Sequence, residues 1–351
     1  LTSEAGDAQQ LTDHAPHTLC YHRTVRDLAS LLDCEPTLEA VLASRQALGW
    51  EPLTRLCIDG ARLAATLLDD GYPRECAMPL SWHRNFVPTH RLLRLETLAE
   101  AICQGGAAAA GAPPAFPAFI DRFRAEVEQQ LPQLAGLKSI LAYRGGFVTQ
   151  AVDAGDAAAR YAVWIAQPAP CRLNDAHLAA FLLERAVEVA ARHEVPVQLH
   201  CGFGDGDLRL DHADPSRLRW LFEPPRLRAA PIVLLHAAWP YVRQAAWLAS
   251  IYPQVHVDFG LAIPMLSRQG MRHTLTELLT LAPYTKLLYS SDASRCPELF
   301  FLAAKWARLV LGEVLQKAVL EHDLDANEAY NAAVCMLSDN AHRLYNRVLS
   351  S

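Results

Sequence analysis

Val195-Pro196-Val197-Gln198-Leu199-His200, Ile232-Val233-Leu234-Leu235-His236 and Lys286-Leu287-Leu288-Tyr289-Ser290-Ser291-Asp292 are three short apolar runs, each ending on a polar side chain. Runs of this length, rich in Val, Ile and Leu and bounded by turn-formers, read as strands buried on both faces. Amphipathic stretches separate them: 175–193 before the first, 215–222 before the second, and 241–251 and 271–281 on either side of a further strand at 255–259. Strand alternating with helix implies βαβ units and a parallel sheet. Working outward adds strands at 64–68, 91–95 and 137–143, which gives seven: 64–68, 91–95, 137–143, 195–200, 232–236, 255–259 and 286–291. Helices near 298–318, 326–337 and 338–348 finish the chain.

No GxGxxG follows the first strand and no GxxxxGK[ST] occurs, which counts against the nucleotide-binding sheets. Gly202-Phe203-Gly204-Asp205-Gly206 is glycine-rich, but with Asp207 it carries two carboxylates that repel phosphate. Seven strands are one short of eight, so the expected fold is a (β/α)8 TIM-barrel-like domain whose first strand is missing from this chain. It is read as a single domain over 1–351, with helical periodicity before residue 64 predicting an N-terminal segment, 1–62, packed outside the barrel. Residues 105–118, full of Gly and Pro, read as a surface loop.

Composition narrows the function classes. The chain has 351 residues, 51% hydrophobic and 20% charged, and a net charge of -6. That is a globular composition, not a disordered one. An acidic chain lacks the basic surface that non-specific nucleic-acid binding needs. No apolar run reaches the ~18 residues of a membrane span, and residues 1–19 show no secretory leader. Nine cysteines are scattered without a CxxC pair, which suggests reduced thiols in a cytoplasm. A small-molecule substrate is the expected partner, without nucleic acid or membrane; a homo-oligomer stays open.

In a parallel barrel the C-terminal strand ends lie on one face, where active sites are built. His200, His236 and Asp292 end three strands, 36 and 56 residues apart. Two imidazoles and a carboxylate converging there form a metal-site pattern suited to zinc, manganese or iron. His256 lies inside a strand and is read as structural, while Asp258 either faces the same mouth or caps the next helix. Lys138 sits in an apolar strand. Its amine either reaches a carboxylate while its stem packs, or is carbamylated by CO2 into an anionic ligand. Arg144, Arg84 and His83 are candidates for holding an anionic substrate, since arginine offers a bidentate fork. Asp205, with Asp207 and Arg209, lies on the loop after His200 and is placed to shape the pocket.

Several stretches carry a family likeness: Leu137-Lys138-Ser139-Ile140-Leu141-Ala142-Tyr143-Arg144, Gln198-Leu199-His200-Cys201-Gly202-Phe203-Gly204-Asp205, Leu234-Leu235-His236-Ala237, Val257-Asp258-Phe259-Gly260-Leu261-Ala262, Tyr289-Ser290-Ser291-Asp292 and Asn340-Ala341-His342-Arg343-Leu344-Tyr345. With Trp82-His83-Arg84-Asn85-Phe86 and Ser3-Glu4-Ala5, they resemble the metal-dependent amidohydrolases, in particular the nodulin-like amidohydrolase domain that also occurs fused to a glutamine-synthetase domain. The resemblance implies a hydrolase of amide-type C–N bonds that uses a divalent metal, zinc in the first instance. His200 would be a ligand. His236 would be a second ligand or a donor to the substrate carbonyl, and Asp292 would bind metal and take the proton from water. The stretch 138–144 also resembles hydantoinase-type enzymes, in which a lysine so placed is carbamylated. Related barrels catalyse decarboxylation or sugar-acid isomerisation, and a metal-free binding or regulatory domain is a further alternative. The family pattern begins with a strand carrying His-x-His. His14 and His17 are three apart, whereas a strand needs a spacing of two to put both on one face. Leu1 is not Met, so the expectation is an upstream strand and an open gap between strands 64–68 and 286–291, unless residues 1–22 fill it.

Overall fold

The structure, a computed structural model, describes residues 2–71, 77–104, 113–168, 172–261 and 265–349. Its centre is one sheet of seven parallel strands in the order β1 to β7. They are β1 (Thr66–Asp69), β2 (Thr89–Arg94), β3 (Leu134–Ser139), β4 (Val197–Leu199), β5 (Ile232–Leu234), β6 (Val255–Asp258) and β7 (Leu287–Leu288). The sheet curls into a half-barrel, and among the described residues no strand joins β1 to β7. Of the segment 1–22, the described residues 2–22 do not fill that gap as a strand. Gln10–His14 is a π-helical turn and Ala15–His17 a 3-10 turn, with Pro16 in its first positions.

Strand alternation sorts the side chains. Leu137, Val197, Leu199, Ile232, Leu234, Val255, Val257 and Leu287 face outward into the main core. There they meet the helices Ala176–His193, Val242–Ile251 and Arg268–Leu279, each laid over the sheet by its apolar stripe. The intervening positions face the lumen. Leu92 and Ala135 pack with Tyr345, Leu67, Val348 and Leu349, and Val233, Leu235 and Leu288 pack with Ala341 and Leu344. The C-terminal segment therefore fills the hollow of the half-barrel. Asn340 secures it by donating Nδ2–H to Tyr284 O (2.8 Å) and Leu287 O (2.7 Å). Gln198 Nε2 donates to the Tyr345 hydroxyl at 2.9 Å.

The helices before residue 64 do pack outside the barrel. Helix Trp50–Ala61 lies on helix Glu298–Leu320, where Gly60 leaves room for the Phe301 ring. Asp27 accepts from Lys305 Nζ at 2.7 Å and from Trp306 Nε1 at 2.5 Å.

Several boundaries differ from the sequence reading. The third strand starts at Leu134 and ends at Ser139, and Leu141–Tyr143 is a 3-10 turn. The last strand stops at Leu288, so Asp292 lies on the loop beyond it. Of the loop read over 105–118, residues 105–112 lie outside the described residues and Phe116 already opens a helix to Gln130, with Pro117 tolerated in its first turn. Helices Leu95–Cys103 and Ala154–Ile165 were not anticipated. Residues 215–222 form a 3-10 turn followed by one α-helical turn. Cys34, Cys57, Cys201, Cys296 and Cys335 are free thiols.

His256 on β6 is structural and pH-sensitive. Its Nδ1–H donates to Gln254 O at 3.1 Å, and burial holds the imidazole down to about 4. A folded pKa below the unfolded ~6.5 means the stability is fully present above ~6.5 and is lost as pH falls toward 4. The loss amounts to ~3 kcal/mol. His256→Gln, uncharged throughout, should flatten the urea-midpoint profile between pH 6.5 and 4. An unchanged profile would contradict this assignment.

Candidate active site at the strand ends

β4 and β5 each deliver a histidine to the mouth of the half-barrel. His200 and His236 are 6% and 2% exposed. Their rings sit with centroids 4.4 Å apart, and His236 Nε2 lies 2.9 Å from His200 Nδ1. His200 Nε2 lies 3.1 Å from Phe203 O. A carbonyl can only accept, so His200 carries its proton on Nε2 and takes the His236 Nε2–H on Nδ1. That leaves His236 Nδ1 buried without a partner among the described residues. Burial pushes both imidazoles well below their usual range, His236 and Lys138 adding to the effect on His200 and Lys138 to that on His236, so both rings are neutral. The backbone there is strained: His236, Ala237 and Ala238 have φ of 64°, 52° and 48°, the left-handed region that non-glycine residues avoid. Strain of this kind gathers at functional sites.

Asp292, with φ 47°, also lies at this mouth. Burial raises its carboxyl and Asp69 adds to the rise, while Lys138 and Arg94 pull it back. Asp258 ends β6 and faces the mouth as well. It accepts from Gly260 N at 2.8 Å and Ser290 Oγ at 3.1 Å, tying β6 to the β7 loop, and burial pushes it up to about 6. The Tyr143 ring lies tilted against the His200 ring, centroids 4.6 Å apart, and its hydroxyl accepts the Asp205 amide N–H at 3.3 Å. The Glu4 carboxyl, raised by burial and by Asp292 and Asp205, also reaches this region.

The loop after β4 needs its glycines. Gly202 has φ 71°, and a Cβ there would collide with Trp239 O and Ala238 C. A Cβ at Gly204 would overlap the Tyr143 hydroxyl and come within 2.7 Å of its Cζ. Gly204→Ala should therefore cost ~1–3 kcal/mol through overpacking. Tyr143→Phe in the same chain should restore part of the loss by removing the hydroxyl, a coupling that a double-mutant cycle of thermal unfolding reads directly. Strict additivity would rule out the contact.

The remaining sequence candidates separate into two groups. Lys138 reaches the mouth, with its Nζ 3.6 Å from Asp69 Oδ2. Arg144, in the turn after β3, is buried. One nitrogen lies 3.2 Å from Glu100, while Nε and NH1 have no partner among the described residues. Asp205 is exposed and its Oδ1 accepts the Asp207 amide N–H at 3.0 Å. His83 and Arg84 are not brought to the mouth. They precede β2, and Arg84 Nε donates at 3.1 Å to the carbonyl of Thr89, the strand's first residue, at the opposite end of the sheet. His83 sits edge-on to Trp82 at 5.1 Å. A substrate role for these two is corrected on that geometry.

The sequence reading passed over Asp69, Arg94, Tyr143 and Glu96. Asp69 closes β1 as His200 follows β4, but Asp69-Asp70-Gly71 read first as a turn. Glu96 is buried and accepts from Ser139 Oγ at 2.6 Å and Ile140 N at 3.0 Å, fixing the chain beyond Lys138.

Comparison with known proteins places this constellation. An amidohydrolase family model matches residues 104–347. The chain belongs to the amidohydrolase family. It is 31% identical over 360 residues to Protein fluG of Emericella nidulans, a match that spans 95% of this chain but only 41% of that protein's length. Among solved structures, this amidohydrolase chain is similar to a Lactobacillus casei protein described as a metal-dependent hydrolase, with TM-score 0.86, 26% identity, and coverage of 98% of this chain and 88% of that one. A Thermotoga maritima uronate isomerase shares the fold at TM-score 0.66 and 15% identity, over 93% of this chain and 78% of that one.

Membership in this family implies a divalent metal. Among the described residues no group of three or more His, Cys, Asp or Glu side chains is gathered to close around an ion. The histidine pair nevertheless suits one. Both rings are neutral, as ligation requires; with the His236 proton moved from Nε2 to its unpartnered Nδ1, both facing nitrogens would be free to ligate, and their 2.9 Å separation comes close to the ~3.3 Å between two ligands bound at ~2.0 Å around a tetrahedral ion. Asp292 adds a carboxyl at the same mouth, raised by partial desolvation.

Proposed function

We propose that this amidohydrolase is a metal-dependent hydrolase that cleaves an amide-type C–N bond of a small substrate with water as nucleophile. One observation carries the reading: two neutral imidazoles face each other across 2.9 Å at the strand ends, with the Asp292 carboxyl at the same mouth. His200, His236 and Asp292 would hold the metal, zinc, manganese or iron. When bound, the metal lowers the pKa of water and polarises a carbonyl.

The chain's own residues supply the rest. Asp292, its carboxyl raised by desolvation, is a stronger proton acceptor than a fully hydrated carboxylate. It takes the proton of the attacking water and hands it to the leaving nitrogen. The histidines stay neutral because burial penalises their charged forms. The Tyr143 hydroxyl accepts the Asp205 amide, which leaves its own hydrogen for an oxygen of the substrate.

A panel of small amides, ureas and cyclic imides tests the reading. Hydrolysis of at least one class, abolished by a chelator and restored by a divalent metal, is expected. Activity indifferent to chelation, or confined to isomerisation, would refute it.

A further inference from the structure

Arg94 and Lys138 are paired across β2 and β3 and project side by side from the lumen face. Asp69 at the end of β1 meets both. Arg94 donates to it from Nε at 3.1 Å and from NH2 at 2.6 Å, and Lys138 Nζ lies 3.6 Å away. The three side chains are only 13%, 12% and 11% exposed. The backbone is shaped around them: Gly71 N donates to Asp69 Oδ1 at 3.0 Å, and a Cβ on Gly71 would come within 2.7–2.8 Å of the Arg94 side chain.

Two cations share one carboxylate, so this corner carries surplus positive charge. It also has donors to spare. Among the described residues Arg94 NH1 has no acceptor, and the Lys138 contact at 3.6 Å is longer than a hydrogen bond. Cationic donors withdrawn from water are costly until an anion meets them. The other carboxyl that feels both cations is Asp292, which the hydrolase reading commits to metal and proton transfer.

We propose that Arg94 and Lys138 together bind a carboxylate of the substrate, with Asp69 as the positioning residue that holds the guanidinium fork and the amine in one plane of approach. The inference rests on the hydrolase reading for the bond cleaved, and it deepens that reading. The substrate class becomes an amide with a carboxylate close to the scissile bond, of which N-acyl amino acids are the simplest. Lys138 is then a free amine that contacts substrate, not a carbamylated ligand. Arginine recognises carboxylate in two parallel bonds, which a point charge cannot do.

The test compares binding of N-acetylglycine and its neutral counterpart N-acetylglycinamide to the full chain by calorimetry, with and without added Zn2+. The carboxylate should bind about 10- to 100-fold more tightly, the range of one or two charge-assisted hydrogen bonds. Arg94→Gln and Lys138→Met should each remove most of that preference and leave N-acetylglycinamide binding unchanged. Arg94→Lys, which keeps the charge without the fork, should lose part of it. Lys138→Arg should retain it, and Asp69→Asn should weaken N-acetylglycine alone. Equal affinity for the two probes, including binding of neither, would overturn the proposal. So would variants that bind N-acetylglycine as the parent does, or a carbamate carbon signal on Lys138 after equilibration with 13C-bicarbonate. Because the readout is binding, the two readings fail separately. A carboxylate preference without hydrolysis of any amide sinks the hydrolase reading alone. Hydrolysis of neutral amides as fast as of acidic ones sinks this one alone.

Discussion

Asp292→Asn should lower turnover of the best amide substrate by about 10²- to 10⁴-fold, the span that general acid–base catalysis supplies, with no change in the unfolding midpoint. The substitution keeps the volume and hydrogen-bonding shape of the side chain but removes its basicity. Burial raises the carboxyl while Lys138 and Arg94 pull it down, so the environment tunes the group without making it essential to packing. Steady-state kinetics of the variant beside circular dichroism checks both halves. A variant as active as the parent would remove Asp292 from the chemistry. A variant that is inactive but unfolded would show that its role is structural.

The second large effect lies in the lumen. Tyr345 is 4% exposed and packs between Leu92 and Ala135 inside the half-barrel. Tyr345→Ala should cost ~3–5 kcal/mol, as expected when a buried aromatic is truncated. Tyr345→Phe should cost ~1–3 kcal/mol by leaving the Gln198 amide without its acceptor. Urea unfolding separates the two. A loss under ~1 kcal/mol for the alanine variant would mean that the C-terminal segment does not support the barrel. Because Gln198 lies two residues before His200 on the same chain, Tyr345→Phe also reports whether the lumen packing steadies the histidine pair.

The strand pattern was legible because a strand buried on both faces leaves a short apolar run that few other elements produce. His200 and His236 were legible for a related reason: a polar side chain that closely follows such a run has only the mouth to occupy, whereas Asp292 was taken from a run whose strand stops four residues earlier, at Leu288. The same rule applied to β1 and β2 would have found Asp69 and Arg94. It was masked at Asp69 by the Asp-Asp-Gly turn signal, and at Arg94 by a run, Arg91–Leu95, already broken by charges. Tyr143 was hidden because the third strand ends at Ser139, four residues before it. Its role depends on the approach of Gly204, a long-range contact that no local pattern encodes. His83 and Arg84 misled for the opposite reason: motif likeness says nothing about which end of the sheet a segment serves. Helix Phe116–Gln130 was missed because Phe116-Pro117 follows a Pro-rich stretch, although proline is well placed in a first turn.

Metal content of the purified chain tests the central claim most directly. Elemental analysis of the parent protein, His200→Ala and His236→Ala, each after dialysis against zinc and then against metal-free buffer, gives the comparison. The account predicts a divalent metal retained by the parent and lost from both variants, because each removes one of two neutral nitrogens set 2.9 Å apart. A parent that hydrolyses amides with no metal bound, or variants that retain as much metal as the parent, would contradict it.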